Sequence, residues 1–432
     1  MKLFGTSGIR RVADRELLEL ALKVGLAVGS EYESLAVGSD TRTSGDALKH
    51  AFITGLLASG AAVYDVGVLP TPSLALAARD FRAGAMITAS HNPPEYNGIK
   101  LLNPDGSAFD AAQQLRIEGM IDENSLDTAG WEKMSRASAR NGIIEKHISH
   151  IMADIPHTES LKVVLDCGCG AASVITPELL KRLGCDVFAL NSFPSGFFPR
   201  ASEPTEANLE NLIRTTKERG ADLGIAHDGD ADRMMAVDDR GRFIPGDKLL
   251  VLFSRQEAAG KVVTTIDASM AIDEMDFNVV RTPVGDTFVS DELKKGGDFG
   301  GEPSGAWVFP GNSLCPDGIY AAARLVSIAG GRKVSELVDE IPEYPIIRGS
   351  IDGLVTDMPG LEKRLMELEP LSVSNIDGLK LGFPDGWLLV RASGTEPKIR
   401  LTAEARTDTK AKDLYQSATG IIREFIRGGE RG

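Results

Sequence analysis

Three stretches of the chain share one arrangement of apolar and polar positions. Each has a short apolar run, a polar or glycine-containing loop, a segment with helical spacing and a second apolar run, at residues 35–66, 162–190 and 261–281. This pattern is typical of two parallel strands joined by a helix. Its repetition predicts three α/β domains that are built alike, each with a mostly parallel sheet.

The C-terminal part of the chain has a different pattern. Residues 379–382, 387–390 and 399–405 are predicted as strands, and one long helix follows them. The apolar positions of that helix recur at helical spacing: Ala411, Leu414, Tyr415, Ala418, Ile421, Ile422, Phe425 and Ile426. This predicts a small α+β domain in which one helix packs on an antiparallel sheet.

These patterns divide the chain into four domains. We predict α/β domains at residues 1–150, 151–246 and 247–346, and an α+β domain at residues 347–432. A chain of 432 residues is too long for one typical core, and its length alone indicates about three domains.

Composition and charge exclude several classes of function. The 42% apolar and 25% charged residues are ordinary for a soluble globular protein. A net charge of −15 argues against a nucleic-acid surface, which would need a basic stripe.

No signal peptide is recognised, and the longest uncharged, mostly apolar run, residues 51–64, is shorter than the ~20 residues of a membrane helix. The four cysteines lack zinc-binding spacing. We therefore expect a cytoplasmic protein with reduced thiols and no nucleic-acid or membrane partner.

Three carboxylates at alternate positions, Asp228, Asp230 and Asp232, are followed directly by Arg233. Like charges this close repel, and three carboxylate oxygens make a partial shell for Mg²⁺ or Ca²⁺. A calcium loop of the EF-hand type would need glycine where Arg233 stands. Apolar runs on both sides predict that the loop joins two buried strands. The alternative is an acidic surface turn.

A second polar loop, residues 88–94, follows the apolar run 83–87. Ser90 therefore lies just past a strand end, where ligands bind in open α/β sheets. Ser90 is a candidate nucleophile, with His91 beside it and Lys100 further along the chain. The alternative is that Ser90 only caps a turn.

A third polar loop, between two strands of the last domain, is typical of an anion site. Small residues let backbone N–H groups point together, hydroxyls add donors, and arginines supply charge. The residues concerned are Arg391, Ser393, Gly394, Thr395 and Arg400. A polar hairpin loop without a ligand is the alternative.

The glycine-rich segment 300–305 offers one carboxylate, Glu302, and one hydroxyl, Ser304. A carboxylate can orient a sugar by accepting hydrogen bonds from vicinal hydroxyls, and Trp307 could stack on the ring. A glycine turn with Trp307 in the core is equally compatible with the sequence.

Other polar residues carry weaker signals. Small residues stand next to arginine in segment 4–11, which contains Arg10, and in segment 40–44. Each segment could form an anion site, and the alternative is that its basic residues are solvated at the surface. His147, His150 and His157 lie on an amphipathic stretch and are predicted to be surface residues.

Each predicted domain thus supplies one polar loop, and a central cleft between the four domains would gather them. A serine, a carboxylate metal site, a sugar-orienting glutamate and a phosphate clamp add up to metal-assisted phosphoryl transfer on a sugar phosphate.

Five segments resemble, in order and over essentially the whole length, the signature segments of the α-D-phosphohexomutase family. They are Phe4-Gly-Thr-Ser-Gly-Ile-Arg10, Thr88-Ala-Ser-His-Asn-Pro93, Asp228-Gly-Asp-Ala-Asp-Arg233, Gly301-Glu-Pro-Ser-Gly305 and Arg391-Ala-Ser-Gly-Thr-Glu-Pro397.

The resemblance implies that Ser90 is a phosphoserine whose phosphate contacts one Mg²⁺ held by the three aspartates. The phosphoserine would pass its phosphoryl group to a hexose monophosphate. The resulting hexose 1,6-bisphosphate would act as intermediate and activator, turn over in the cleft, and return its other phosphate to Ser90. The phosphate would thereby move between O6 and O1.

The resemblance also implies roles for the other loops. Glu302 and Ser304 would hold sugar hydroxyls, and Arg233 would contact the transferring phosphate. The non-transferring phosphate would be bound by Arg391, Ser393, Gly394, Thr395 and Arg400. The candidates for acid–base and charge roles near Ser90 are Lys100, His91 and Arg10.

Within the family, the N-terminus and the segment 300–307 are similar to phosphoglucosamine mutases of the archaeal type, which implies conversion of glucosamine 6-phosphate to glucosamine 1-phosphate. Pro303, Ala306 and Arg11 depart from the bacterial pattern and leave phosphomannomutase or phosphoglucomutase activity open. An aspartyl-phosphate phosphatase with Asp228 as nucleophile and a sugar-phosphate sensor without turnover are further alternatives. A small-molecule sugar phosphate is the expected partner, and the chain is expected as a monomer or homodimer.

Overall fold

The computed structural model describes residues 2–155, 157–158, 160–257, 260–353, 357–392 and 398–429. Four sheets follow one another along these residues. None of the helices in these ranges combines the length and apolar character needed to cross a membrane.

The first sheet has parallel pairing from β4 to β6 and antiparallel pairing at the opposite edge. Its strands are β1 Ile9–Val12, β2 Ser34–Ser39, β3 Ala62–Val68, β4 Ala83–Ile87, β5 Tyr96–Leu102 and β6 Ala137–Ala139, in the order β1-β5-β4-β2-β3-β6. Five helices belong to this part of the chain: α1 Arg15–Glu31, α2 Gly45–Ala58, α3 Thr71–Ala78, α4 Ala111–Asp122 and α5 Ile143–Asp154. All five residues of β4 are buried, which is typical of a strand covered on both faces, and Ser90 follows this strand.

The second sheet presents the aspartate loop at the tip of a hairpin. Its strands are β7 Lys162–Asp166, β8 Asp186–Leu190, β9 Leu223–His227, β10 Met234–Val237 and β11 Phe243–Ile244, in the order β11-β10-β9-β7-β8, with helices α6 Thr176–Arg182 and α7 Glu210–Arg219. Strands β7, β8 and β9 are parallel, and β10 pairs antiparallel with β9. The prediction that residues 228–233 join two buried strands is therefore confirmed.

The third sheet is smaller and has the order β13-β12-β14-β15. Its strands and helices are α8 Gly246–Glu257, β12 Lys261–Thr265, β13 Asn278–Thr282, α9 Asp286–Leu293, β14 Phe299–Gly301, β15 Trp307–Val308, α10 Gly318–Gly331 and α11 Val334–Asp339. The predicted helix near residues 269–274 is a short 3₁₀ helix, Met270–Glu274. The second and third domains share one continuous apolar core, which runs from Ile148 to Ile341.

The fourth sheet is antiparallel throughout, as predicted. Its elements are β16 Ile346–Asp352, α12 Met358–Leu365, β17 Ser372–Ser374, β18 Leu379–Phe383, β19 Gly386–Ala392, β20 Lys398–Ala405 and α13 Asp408–Gly429, with the strand order β16-β20-β19-β18-β17. Besides the expected long helix α13, the shorter α12 contributes Leu361 and Leu365 to the core of this domain. A small cluster of Ile266, Trp387 and Leu389 joins it to the third domain.

The predicted fold class, three α/β domains followed by an α+β domain, is confirmed by these four sheets. The exact domain boundaries stay a prediction. Each sheet lies inside one predicted range, except that β16 begins at Ile346, one residue before the predicted start of the last domain.

Candidate active site

Ser90 lies in a tightly fixed loop directly after β4. Its side chain is buried, and its backbone has a φ of 50°, a left-handed conformation that is unfavourable for a residue with a side chain. The backbone N–H of Ser90 donates to Thr88 Oγ1 at 2.8 Å. Residues held in such conformations cluster at functional sites, where the surroundings keep them in place.

The buried guanidinium of Arg42 holds this loop in shape. It donates to four backbone carbonyls: Ser90 at 2.8 Å, Asn92 at 2.6 Å, Pro93 at 2.7 Å and Tyr96 at 2.8 Å. A planar group with five donors in fixed directions is suited to this role. The segment 40–44 is therefore neither a solvated surface nor an anion site in this structure, because its arginine is committed to the serine loop.

Asp40 in turn fixes Arg42. Its Oδ2 atom accepts from Arg42 Nε at 3.2 Å and from Thr88 Oγ1 at 2.6 Å. Burial raises the pKa of Asp40 to about 6, although Arg42 opposes this increase. The sequence pattern of segment 40–44 did not indicate these contacts of Asp40 and Arg42.

The aspartate loop brings three carboxylates together, as predicted. One oxygen from each of Asp228, Asp230 and Asp232 lies within 4.8 Å of the others, and all three side chains are buried. Asp228 Oδ2 accepts a hydrogen bond of 2.7 Å from Ser90 Oγ. The serine loop of the first domain and the aspartate loop of the second thus form one site.

Lys100, on β5, supplies the nearest positive charge. Its Nζ atom lies 2.7 Å from Asp230 Oδ2 and 2.5 Å from Asp232 Oδ2. Asp230 Oδ2 also accepts from Thr71 Oγ1 at 2.5 Å, at the start of α3. Thr71 was missed by sequence reasoning, although its place at a helix start after β3 was a possible signal.

The pKa values of the three aspartates are shifted in different directions. Burial and the neighbouring Asp232 and Asp230 raise the pKa of Asp228 well above its usual value. Burial and Asp230 also raise the pKa of Asp232. For Asp230, burial is outweighed by Lys100, so the pKa of Asp230 is lowered. The two aspartates likewise outweigh burial at Lys100 and raise its pKa, which keeps the amine protonated.

The ammonium group of Lys100 alone does not balance the negative charge of three carboxylates. Asp230 Oδ1 and Asp232 Oδ1 are buried without a hydrogen-bond partner among the described residues. Buried carboxylate oxygens without partners are unfavourable. An oxygen-only donor set of this kind suits a hard divalent cation such as Mg²⁺, so the residues fit the expected ion.

His91 and Arg10 lie close to Ser90, as expected. His91 Nδ1 is 3.3 Å from Ser90 Oγ, and burial together with Arg233, Arg10 and Lys100 lowers the pKa of His91 to about 2. Arg10 Nη1 donates to Asn92 Oδ1 at 3.2 Å, while Arg10 Nε is buried without a partner in the part of the chain that the structure describes. Cationic groups thus surround the position where a phosphate on Ser90 would lie.

The loop with Glu302 adjoins the aspartate hairpin. Arg233 pairs with Ala306 in an isolated β-bridge, and Met234 N–H donates to Gly305 O at 2.9 Å. Ser304 Oγ donates to Glu302 Oε2 at 2.9 Å, whereas Glu302 Oε1 is buried without a partner among the described atoms. Burial and the neighbouring Asp286 raise the pKa of Glu302 to about 7, against the effect of Arg233.

The structure decides between the two interpretations of Trp307 and shows that one histidine prediction is wrong. Trp307 is fully buried and donates through Nε1 to Met234 O at 2.8 Å, so it belongs to the core and cannot stack on a sugar. His147 is also buried, between Ser73 Oγ at 2.8 Å and Asp317 Oδ2 at 3.2 Å. Its polar partners come from distant parts of the chain, which the helical spacing of the segment could not show.

The candidate phosphate clamp is partly described. Arg391 on β19 and Arg400 on β20 face each other as an antiparallel pair. They line a cleft between the third and fourth domains together with Arg348, Lys398 and Asp267. The predicted ligands Ser393, Gly394 and Thr395 lie outside the described residues.

Comparison with protein families places the whole chain in one group. Four models described as phosphoglucomutase/phosphomannomutase match in order: alpha/beta/alpha domain I at residues 1–128, domain II at 145–241, domain III at 245–344, and the C-terminal domain at 355–419.

Similarity to individual proteins supports the same family assignment. A probable phosphoglucosamine mutase from Methanocella arvoryzae is 48% identical, over 99% of each chain. A probable phosphoglucosamine mutase from Methanococcoides burtonii is 46% identical, over 99% of this chain and 100% of its own. The crystal structure of a phosphoglucomutase/phosphomannomutase family protein from Burkholderia thailandensis superimposes with a TM-score of 0.86 at 28% identity, covering 99% of this chain and 98% of its own.

Proposed function

Because the chain belongs to the phosphoglucomutase/phosphomannomutase family of α-D-phosphohexomutases, we propose that it converts glucosamine 6-phosphate to glucosamine 1-phosphate through a phosphoserine at Ser90. The observation that carries this proposal is the 2.7 Å hydrogen bond between Ser90 Oγ and Asp228 Oδ2. It joins a buried nucleophile to a site suited to a divalent cation.

The chain's own residues would position and neutralise the phosphoryl group. Arg42 holds the serine loop, so the Ser90 oxygen points at the aspartate cluster. Lys100 stays protonated and offers charge rather than a base. Mg²⁺ bound by Asp228, Asp230 and Asp232 would supply further neutralisation of the phosphate oxygens.

The transfer itself needs one proton acceptor. A sugar hydroxyl oxygen would attack the phosphorus of phosphorylated Ser90 while its proton passes to the acceptor, the bond between phosphorus and Ser90 Oγ would break, and the proton would then pass from the acceptor to Ser90 Oγ. His91 would be this acceptor, since its Nδ1 atom lies 3.3 Å from Ser90 Oγ and its lowered pKa keeps the ring neutral. The negative charge of a phosphate on Ser90 would raise the pKa of His91 and make it a better acceptor.

The sugar and the second phosphate would be held by the other two loops. The unpartnered Glu302 Oε1 can accept from a sugar hydroxyl, and Arg391 and Arg400 would bind the non-transferring phosphate. After the first transfer the hexose 1,6-bisphosphate would turn over, so that the other phosphate returns to Ser90.

Glucosamine phosphate is proposed because relatives at 46% and 48% identity carry the name phosphoglucosamine mutase. The alternative substrates are mannose and glucose phosphates, since the family models and the solved relative carry the names phosphoglucomutase and phosphomannomutase. Comparison of kcat/KM for the 1-phosphates of glucosamine, glucose and mannose tests the choice. A preference for glucosamine of less than about tenfold, or about 1.4 kcal/mol, would contradict a dedicated role.

The phosphoserine is tested separately by intact-mass and peptide measurements on the purified protein. We expect one phosphate, on Ser90, and loss of mutase activity in Ser90→Ala even with hexose 1,6-bisphosphate present. Full activity in that variant would rule out the nucleophile. Phosphatase activity that depends on Asp228 but not on Ser90 would favour the aspartyl-phosphate alternative.

A further inference from the structure

One carboxylate, that of Asp377, joins the candidate phosphate clamp to the third domain. Its Oδ2 atom lies 2.5 Å from Arg391 Nη2 and accepts a hydrogen bond of 3.0 Å from the backbone N–H of Val284. Arg391 belongs to β19 of the fourth domain, whereas Val284 lies between β13 and α9 of the third. A single oxygen atom thus receives donors from both domains.

The ion pair fixes one end of the Arg391 guanidinium and leaves another donor available. Arg391 Nε is buried and has no hydrogen-bond partner among the described residues. A buried donor without an acceptor is unfavourable, so an anion that enters the cleft would satisfy it. The cleft also contains Arg348, Lys398 and Arg400, and these groups give it an excess of positive charge beside Asp267.

The segment that contacts Asp377 also contacts the first domain. Two residues after Val284, Asp286 Oδ1 accepts a hydrogen bond of 2.9 Å from Ser7 Oγ. Ser7 lies in the N-terminal segment that leads to Arg10. The segment 284–286 therefore connects the clamp arginine, through Asp377, to the domain that carries Ser90.

We propose that Asp377 is a positioning residue that orients Arg391 toward the substrate's non-transferring phosphate and sets the clamp at a fixed position relative to the third domain. The inference rests on the proposed mutase function. An arginine that is already oriented loses less freedom when the phosphate binds, so the contribution of Asp377 is expected in substrate affinity. Chemistry at Ser90 would be largely unaffected once the substrate is bound.

Asp377→Asn and Asp377→Ala separate the two contacts of this carboxylate. Asparagine keeps an oxygen acceptor for Val284 N–H but removes the charge that pairs with Arg391, and alanine removes both. In Asp377→Asn we expect the KM for glucosamine 6-phosphate to rise about tenfold, or about 1.4 kcal/mol, with kcat within about threefold of wild type. In Asp377→Ala we expect a larger rise.

Glu274→Gln is the matched control. Glu274 Oε1 pairs with Arg406 Nη2 at 2.9 Å across the same two domains, but neither residue lines the cleft with Arg391. We expect unchanged KM and kcat in this variant. Thermal unfolding of all three variants shows whether a change in KM accompanies a loss of stability.

Several results would overturn the inference. An unchanged KM in Asp377→Asn would show that the ion pair does not orient Arg391, and a lower KM would show that Asp377 competes with the phosphate. A rise in KM that Glu274→Gln reproduces would reveal a general effect of loosening the domain contact.

Calorimetric titration of glucosamine 6-phosphate into wild type and Asp377→Asn separates this inference from the proposed function. If wild type binds the sugar phosphate without turning it over, the mutase proposal fails, and a tenfold weaker Kd in Asp377→Asn still supports the positioning role. Equal Kd values in an active enzyme would overturn the positioning role alone.

Discussion

Ser90 Oγ in the first domain donates a 2.7 Å hydrogen bond to Asp228 Oδ2 in the second domain. A phosphate on Ser90 would bring further negative charge against three buried carboxylates. Only added positive charge can make that arrangement stable, since like charges at this separation disfavour ionisation. Phosphorylation of Ser90 and binding of a divalent cation are therefore expected to support each other.

Asp228→Asn and Asp230→Asn should change the stability of the metal-free protein in opposite directions. Burial and the other aspartates raise the pKa of Asp228, so its replacement by a neutral side chain should stabilise the protein. Lys100 lowers the pKa of Asp230 against the effect of burial, so the same change there should destabilise the protein. Urea unfolding in the presence of a chelator measures both effects.

Both aspartate variants should also weaken Mg²⁺ binding, measured by calorimetry. A metal-free Asp228→Asn protein that is less stable than wild type would contradict the electrostatic interpretation of the cluster.

Lys100→Met should destabilise the metal-free protein by about 3–5 kcal/mol, because it leaves buried aspartates without their ammonium partner. The increase in melting temperature on addition of Mg²⁺ should then be larger than in wild type. Lys49→Met is a suitable control, since Lys49 is a similarly buried lysine that pairs with Asp65 at 3.2 Å away from the cluster. An equal Mg²⁺ response in wild type and Lys100→Met would argue against a cation beside Lys100.

The KM for the sugar phosphate should rise as the pH falls below about 7. Burial and Asp286 raise the pKa of Glu302 to about 7, so acidification protonates the carboxylate that would accept from the sugar hydroxyl. Glu302→Gln should have a high KM that no longer changes with pH over this range. The range from pH 5.5 to 8 extends about one and a half units below this pKa and about one unit above it. If the KM of wild type stays constant over that range, Glu302 does not accept a hydrogen bond from the sugar as a carboxylate.

The carboxyl group of Glu302 should also make the ligand-free protein less stable at higher pH. A carboxyl whose pKa is raised in the folded state binds its proton more tightly there than in the unfolded chain. The contribution of Glu302 to the free energy of unfolding is therefore complete below the usual glutamate pKa. It is lost as the pH rises through about 7, and the loss amounts to up to about 3 kcal/mol. Urea midpoints at acidic and basic pH should show this trend in wild type and a weaker trend in Glu302→Gln.

Arg42→Lys should lower kcat by about 10- to 100-fold, or about 1.4–2.7 kcal/mol, while KM stays within about threefold. A lysine ammonium cannot reach the four carbonyls that Arg42 binds, so the Ser90 loop would lose its fixed shape. Arg116→Lys, at an exposed ion pair with Glu31, should leave the kinetics unchanged. If Arg42→Lys instead raises KM alone, Arg42 does not position the nucleophile.

Local patterns in the sequence predicted the loops well because each motif follows directly from a strand. The strand 83–87, the loop with Ser90, and the hairpin around Asp228–Arg233 all agree with the structure. The apolar runs define where each strand ends, and the polar residues that follow must then lie at the edge of a sheet.

Contacts between distant segments could not be predicted in this way. Arg42 was assigned no partner, although it binds carbonyls about fifty residues away, and His147 was predicted at the surface although it contacts Asp317 from another domain. The Arg42 contacts depend on how two loops of one domain pack, and the His147 contact depends on how two domains dock. Periodicity within one helix or strand encodes neither. Asp377, 93 residues from its partner Val284, is a further example.

The shared core of the second and third domains has a consequence for how the protein unfolds. Residues from Ile148 to Ile341 form one continuous apolar cluster, whereas the fourth domain has its own core and only a small apolar contact with its neighbour. The middle half of the chain should therefore open as one cooperative unit in hydrogen exchange, and the fourth domain as a separate unit. Arg391 and Arg400 belong to the fourth domain, which could then open locally without exposing the aspartate loop of the second domain.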